Sequence, residues 1–180
     1  GSEAEQIARE TVAVATSQAK VLAEIIEDRK LFKMIRDKKH VQIEGWETAG
    51  TVRNVAAGVD TTEEVRDSAG AIIGYKAHAV VRNTLTGMQV SEAWHICLKE
   101  EERWATSPLP SLASMAGTRA CSKALRLCLS WVVVLAGFDA TPAEEMDGVK
   151  VETKPSVPQE APRGLCPVHK VPFVHRTGTS

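Results

Sequence analysis

The stretch from Ser111 to Phe138, SLASMAGTRACSKALRLCLSWVVVLAGF, decides how the chain is read. It follows Pro108 and Pro110, holds no acidic residue, and is stopped by Gly137. A proline at a helix entry costs no hydrogen bond, because the first backbone N–H groups have no helical partner in any case. Wound at about 3.6 residues per turn, the stretch separates into two faces. Leu112, Met115, Ala116, Ala120, Ala124, Leu127, Trp131 and Leu135 form an apolar stripe, and Arg119, Lys123 and Arg126 stand together on another side. Three like charges on one helix face repel, and no nearby Glu relieves them. Such a row is either a solvated face or a preformed anion site. The small residues Ala113, Ala116, Gly117, Ala120 and Ala124 suit close packing of this helix on a sheet.

Working outward, the net charge of −1 conceals an uneven distribution. Residues 29–138 carry fifteen bases against eleven acids, whereas residues 1–28 and 139–160 each carry six acids against two bases. The last twenty residues carry three bases and no acid. A basic middle between acidic arms is a weak footprint for a polyanion partner, since a dedicated DNA module is usually more basic. The longest apolar run, Trp131–Phe138, is far short of the roughly 20 residues of a membrane span. With no signal-peptide pattern at the start, a soluble protein without membrane contact is expected. Cys97, Cys121 and Cys128 read as buried thiols of a reducing cytoplasm.

The rest of the chain supplies the partner elements. Residues 3–28 lack Gly and Pro, and Ile7, Val14, Val21, Leu22, Ile25 and Ile26 make an amphipathic helix interrupted by Thr11 and Gln18. A second helical piece is expected from Arg29 through Leu31, Phe32, Met34 and Ile35 to Lys38 and Lys39. His40–Glu44 alternates as a short strand, and Trp46, Ala49, Val52 and Val55 fit a short helix up to Gly58. Three strands follow, at Val59–Arg66, Ile72–Asn83 and Met88–Leu98, joined by the turns Asp67–Gly70 and Thr84–Gly87. Short turns imply antiparallel pairing. Trp46, Trp94 and Trp131 fall in apolar phases and are expected in the core. The segment 139–180, with its prolines and acids, reads as a linker and disordered tail ending in a short basic stretch. The expected fold is α+β: a short antiparallel β-meander covered by a long Ala-rich basic helix, with N-terminal helices and a disordered C-terminal tail. The divisions are an N-terminal helix at 3–28, a main domain at 29–138 and the tail at 139–180.

VQIEGWETAGTVRNV, the meander, and SMAGTRACSKALR with LAGFDATPAEEM together carry a family resemblance. They look like the single-strand annealing proteins of bacteriophage recombination, of the Erf, RecT and Redβ types. The Erf-type helix pattern, S-M-A-x-T-R-A-x-S-K-A-L-R, is the most specific part. The order of elements also resembles the annealing domain of the eukaryotic Rad-type recombination mediator. The likeness covers about residues 29–146. It implies a protein of the bacterial host's cytoplasm that coats single-stranded DNA as a ring or filament and pairs complementary strands without ATP. It also implies a basic groove bounded by helix and meander. A phage exonuclease or a host single-strand-binding protein would be a further partner. Arg119, Lys123 and Arg126 match the motif's basic positions and are carried over by that match as phosphate contacts.

Read from the residues themselves, no GxxxxGK[ST] or GxGxxG occurs, so no nucleotide cofactor is expected. Lys38, Lys39 and Arg53, then Lys76 and Arg82, could extend a phosphate path, and Trp104 beside Arg103 could stack a base. Replacing Arg119 and Arg126 by Ala is expected to weaken DNA binding while leaving the fold intact. Three alternatives stay open: a strand-binding accessory that does not anneal, a metal-dependent nuclease, and a structural oligomer without nucleic acid. Asp60, Glu63, Glu64 and Glu92 with Lys76 could be imagined as a nuclease cluster, although no spacing specifies one. Cys166, His169 and His175 make half of a zinc knuckle, which needs four ligands. No metal site and no enzyme activity are expected.

Overall fold

The computed structural model describes residues 1–147. Helix α1, Glu3–Arg29, opens on a capping box in which the Ser2 hydroxyl accepts from the Glu5 amide and the Glu5 carboxylate accepts from the Ser2 amide. Strands β1, Phe32–Ile35, and β2, Lys38–Val41, form a separate two-stranded antiparallel hairpin. Helix α2, Ile43–Val52, leads into a three-stranded antiparallel meander of β3, Val55–Arg66, β4, Ile72–Asn83, and β5, Gln89–Leu98, in the order β3-β4-β5. A 3-10 turn, Glu102–Trp104, precedes the long helix α3, Leu109–Leu135, and a last turn of helix, α4, covers Ala143–Met146. The fold is α+β, with α3 lying over one face of the meander.

Small residues set that contact. Ala116, Ala120 and Ala124 of α3 meet Ala77, Ala79 and Val81 of β4 and Ala93 and Cys97 of β5, and all are buried in one core. Gly117 belongs to the same device, since a Cβ there would stand 3.0 Å from Val59 Cγ2 on β3. A larger side chain has no room, so Ala120→Leu is expected to cost about 1–3 kcal/mol. Thermal unfolding of the purified variant measures it, and an unchanged midpoint would contradict this packing. Beyond the sheet, Leu125, Leu129, Val132 and Val133 of α3 turn toward Leu22 and Ile26 of α1, so both helices share that core.

Several expectations are corrected. The second helical piece is the β1–β2 hairpin, turned by Arg36 and Asp37 at φ 49° and 61°. Of the three tryptophans expected in the core, only Trp46 is there; Trp94 and Trp131 are 45% and 43% exposed. The apolar stripe of α3 is covered by the sheet only as far as Ala124, and Leu127, Trp131 and Leu135 remain in solvent. Cys97 is buried, whereas Cys121 and Cys128 are half-buried. Residues 139–147 pack against the main body: the Asp139 amide donates to the Lys39 carbonyl, Pro142 is fully buried, and Ala143 joins the buried set. Cys166, His169 and His175 lie outside the described residues.

Candidate nucleic-acid interface

The helix that carries the basic row also decides what that row can touch. Arg119 is 2% exposed. Its guanidinium donates to both carboxylate oxygens of Glu101, at 2.8 and 2.6 Å, and to the Ile96 carbonyl at 2.9 Å. Glu101 in turn accepts the Leu98 amide at 3.0 Å. The pair therefore closes the C-terminal end of β5, occupying backbone groups that an edge strand otherwise leaves open. Burial pushes the Glu101 carboxyl up, but the Arg119 and Leu98 hydrogen bonds outweigh it and hold the group below its ordinary value. Burial likewise works against the Arg119 charge, and Glu101 reverses the direction. This corrects the assignment of Arg119 to phosphate: its charge is desolvated and already bound bidentately.

Arg126 is similarly engaged, with Nε donating to Glu145 at 2.7 Å and Nη2 at 3.1 Å. Lys123 is half-buried and has no ion pair among the described residues. It lies near His95, whose imidazole is held below its ordinary pKa first by burial, with Arg119 and Lys123 adding to the effect.

The remaining candidates are spread over three places. Arg103 pairs with Asp147 at 3.1 Å and lies over the Trp104 ring, but Trp104 packs against the core with its buried Nε1 unpartnered among the described residues. The Trp104 ring is half-buried, with the Arg103 guanidinium on one side. At the hairpin, Lys38 pairs with Asp139 at 3.4 Å, and Lys39 pairs with Glu27 while lying over Phe32. Arg53 donates to Gln18 at 2.9 Å and lies over Trp131. On the meander, Lys76 pairs with Glu63 at 2.8 Å, and Arg82 is exposed with a long contact to the Gly87 carbonyl.

Residues 139–147 thus act as an acidic strap across Lys38, Arg126 and Arg103, through Asp139, Glu145 and Asp147. Glu144 anchors it. One carboxylate oxygen accepts the Ile43 amide at 2.8 Å, supplying the cap that Gln42 does not make at the start of α2, and the other accepts from Ser122. Burial pushes the Glu144 carboxyl up from its ordinary pKa.

The meander's other face is open, and it holds what the sequence reading missed. His78 sits opposite Trp94 in register, with the two rings stacked at 4.8 Å between centroids. The Lys76 ammonium lies 5.2 Å from the Trp94 centroid. His78 Nδ1 contacts Asp60 at 3.2 Å and Nε2 contacts Glu92 at 2.9 Å. The Asp60 hydrogen bond, with Glu92 adding to it, raises the imidazole pKa above 6.5. Two carboxylates on two ring nitrogens call for both to be N–H donors, which is the imidazolium. The imagined nuclease cluster is divided among these partners: Asp60 and Glu92 serve His78, Glu63 serves Lys76, and Glu64 serves Arg66. Among the described residues no group of three His, Cys, Asp or Glu could hold a metal ion, and no helix is long and apolar enough to cross a membrane.

No protein-family model matches the chain, and neither does any curated protein or solved structure. The likeness to the annealing proteins rests on the quoted residues alone.

Proposed function

We propose that the chain binds single-stranded DNA and pairs complementary strands without ATP, as a homo-oligomer in the cytoplasm of a bacterial host. The observation that carries the reading is the open face of the meander, where exposed Trp94 stacks on His78 and Arg82, further along β4, is exposed with no ion pair among the described residues, whereas Lys76 and His78 are already held by Glu63, Asp60 and Glu92. Aromatic rings with flanking cations hold single strands by stacking and phosphate attraction, without regard to sequence. The motif helix supports the reading too, as a scaffold that fixes the meander from behind and through Arg126, a basic position that the strap covers. Lys123 is the motif position left without an ion pair among the described residues.

Annealing of complementary oligonucleotides, followed with neither ATP nor metal added, tests the function. Faster pairing supports it; strand binding without faster pairing leaves the accessory reading; strand cleavage on adding a divalent ion leaves the nuclease. An absence of salt-dependent binding leaves a structural oligomer. Trp94→Ala is expected to weaken strand binding roughly tenfold, the value of about one stacked base. Because Trp94 lies outside the core, thermal unfolding should barely move. Unaltered affinity would remove the open face from the interface.

A further inference from the structure

Helix α1 runs for 27 residues but buries only its second half, through Ala15, Ala19, Leu22 and Ile26. Residues 1–14 are all exposed. That half is not polar: Ile7 and Val14, seven residues apart on one face, stand 57% and 55% exposed. A helix of this length has little stability in water by itself, and most helices are held by packing an apolar face. Among the described residues nothing covers the arm.

At the far end of α3 lies a second uncovered face. The stripe that packs on the sheet as Ala116, Ala120 and Ala124 continues without interruption as Leu127, Trp131 and Leu135. The sheet stops short of it. The Ser91 hydroxyl donates to the Ala124 carbonyl at 2.7 Å, and beyond that point Leu127, Trp131, Val134 and Leu135 are all exposed. No charged residue occurs from Leu127 to Phe138. A contiguous apolar face of this kind marks an interaction surface.

The chain's own arm cannot reach this face. Arg53 joins Gln18 to Trp131, which places the middle of α1 beside the patch. At about 1.5 Å per residue, Ile7 lies roughly 16 Å further along a continuous helix and cannot fold back. Charge points to the same occupant. The first fourteen residues carry Glu3, Glu5 and Glu10 against Arg9, whereas α3 carries no acid, and of its three bases Arg119 and Arg126 are already held by Glu101 and Glu145. Lys123, one turn before Leu127, has no ion pair among the described residues.

We infer that the N-terminal half of α1 from one copy seats its Ile7–Val14 face on the Leu127–Trp131–Leu135 face of a second copy, with Glu3 and Glu10, which flank the arm's apolar face, toward Lys123. Each copy offers one arm and one seat, so the contact is reciprocal in a dimer and head-to-tail in a ring or filament. The inference deepens the self-assembly part of the reading proposed above and does not depend on DNA.

The test uses two variants of the full chain, Ile7→Glu/Val14→Glu in the arm and Leu127→Glu/Leu135→Glu in the seat, followed by sedimentation velocity without DNA. The unaltered chain is expected to assemble, and each variant alone to sediment as a monomer with unchanged helical circular dichroism. Mixed in equal amounts, the two variants are expected to form a heterodimer, because one retains its seat and the other its arm. If glutamate harms folding, Ile7→Ser/Val14→Ser and Leu127→Ser/Leu135→Ser replace them. A mixture that stays monomeric while the unaltered chain assembles overturns this seat and leaves self-assembly standing. A monomeric unaltered chain overturns both.

Discussion

Arg119→Ala is expected to lower folding stability by about 3–5 kcal/mol, the usual cost of removing one partner from a buried ion pair. For a chain of this size that is a fall of roughly 10–15 °C in the thermal midpoint. The loss has two parts. The Glu101 carboxylate remains behind, with its Arg119 hydrogen bonds gone and only the Leu98 amide donating to it. The Ile96 carbonyl at the edge of β5 also loses its donor. The pH dependence separates this cause from a simple cavity. In the unaltered protein Glu101 has a lowered pKa, so its contribution is present above the ordinary value of 4.5 and is lost as pH falls through the lower folded value. In the variant, burial acts without Arg119 and drives the Glu101 pKa upward, so the folded state binds the proton more readily than the unfolded chain. Stability of the variant then rises as pH falls. The gap between the two proteins should narrow from pH 7 toward about pH 4. A gap that stays constant across this range, or a variant as stable as the parent, would show that the pair is not what holds the β5 edge.

This result would also separate what the sequence shows from what it hides. The meander and α3 were readable because their periods are clean: alternation in β4, an apolar stripe in α3, and turn residues between. The hairpin was not, because Leu31-Phe32 and Met34-Ile35 mimic helical spacing and the turn is made by Arg36 and Asp37. Arg36 does not advertise a positive φ, and Asp37, which tolerates one, lacks the following glycine of an Asn-Gly or Asp-Gly turn. The phase of β5 misled for a different reason. Val90, Trp94 and Ile96 are the bulkier set, yet the inner face is Ala93 and Cys97, because α3 presents alanines and a thin contact accepts only small partners. Bulk therefore went outward, and with it the ring on which the functional reading rests. Arg119 misled most. A motif match identifies the position, but whether the charge meets solvent depends on Glu101, eighteen residues away, folding back onto the edge of β5.

Neutralising the strap, Asp139→Asn with Glu145→Gln and Asp147→Asn, is expected to tighten single-strand binding by tens of fold at low salt. The three carboxylates hold Lys38, Arg126 and Arg103 respectively. If each freed cation takes up one phosphate, the log–log salt slope steepens by roughly two, at about 0.7 per contact on single strands. The fold should tolerate the change, because the anchor is elsewhere. Glu144 still caps α2 and holds Ser122, Pro142 stays buried, and an asparagine at 139 retains an oxygen for the Thr141 amide. Lys38 and Arg103 are both more than half exposed, so their ion pairs contribute little to stability and their release costs little. Affinity measured against salt by fluorescence anisotropy decides the matter. A steeper slope would show that the strap occupies part of the strand's path. A parallel line shifted upward would mean only that three negative charges had been removed from the neighbourhood. An unchanged curve would confine the interface to the open face around Trp94.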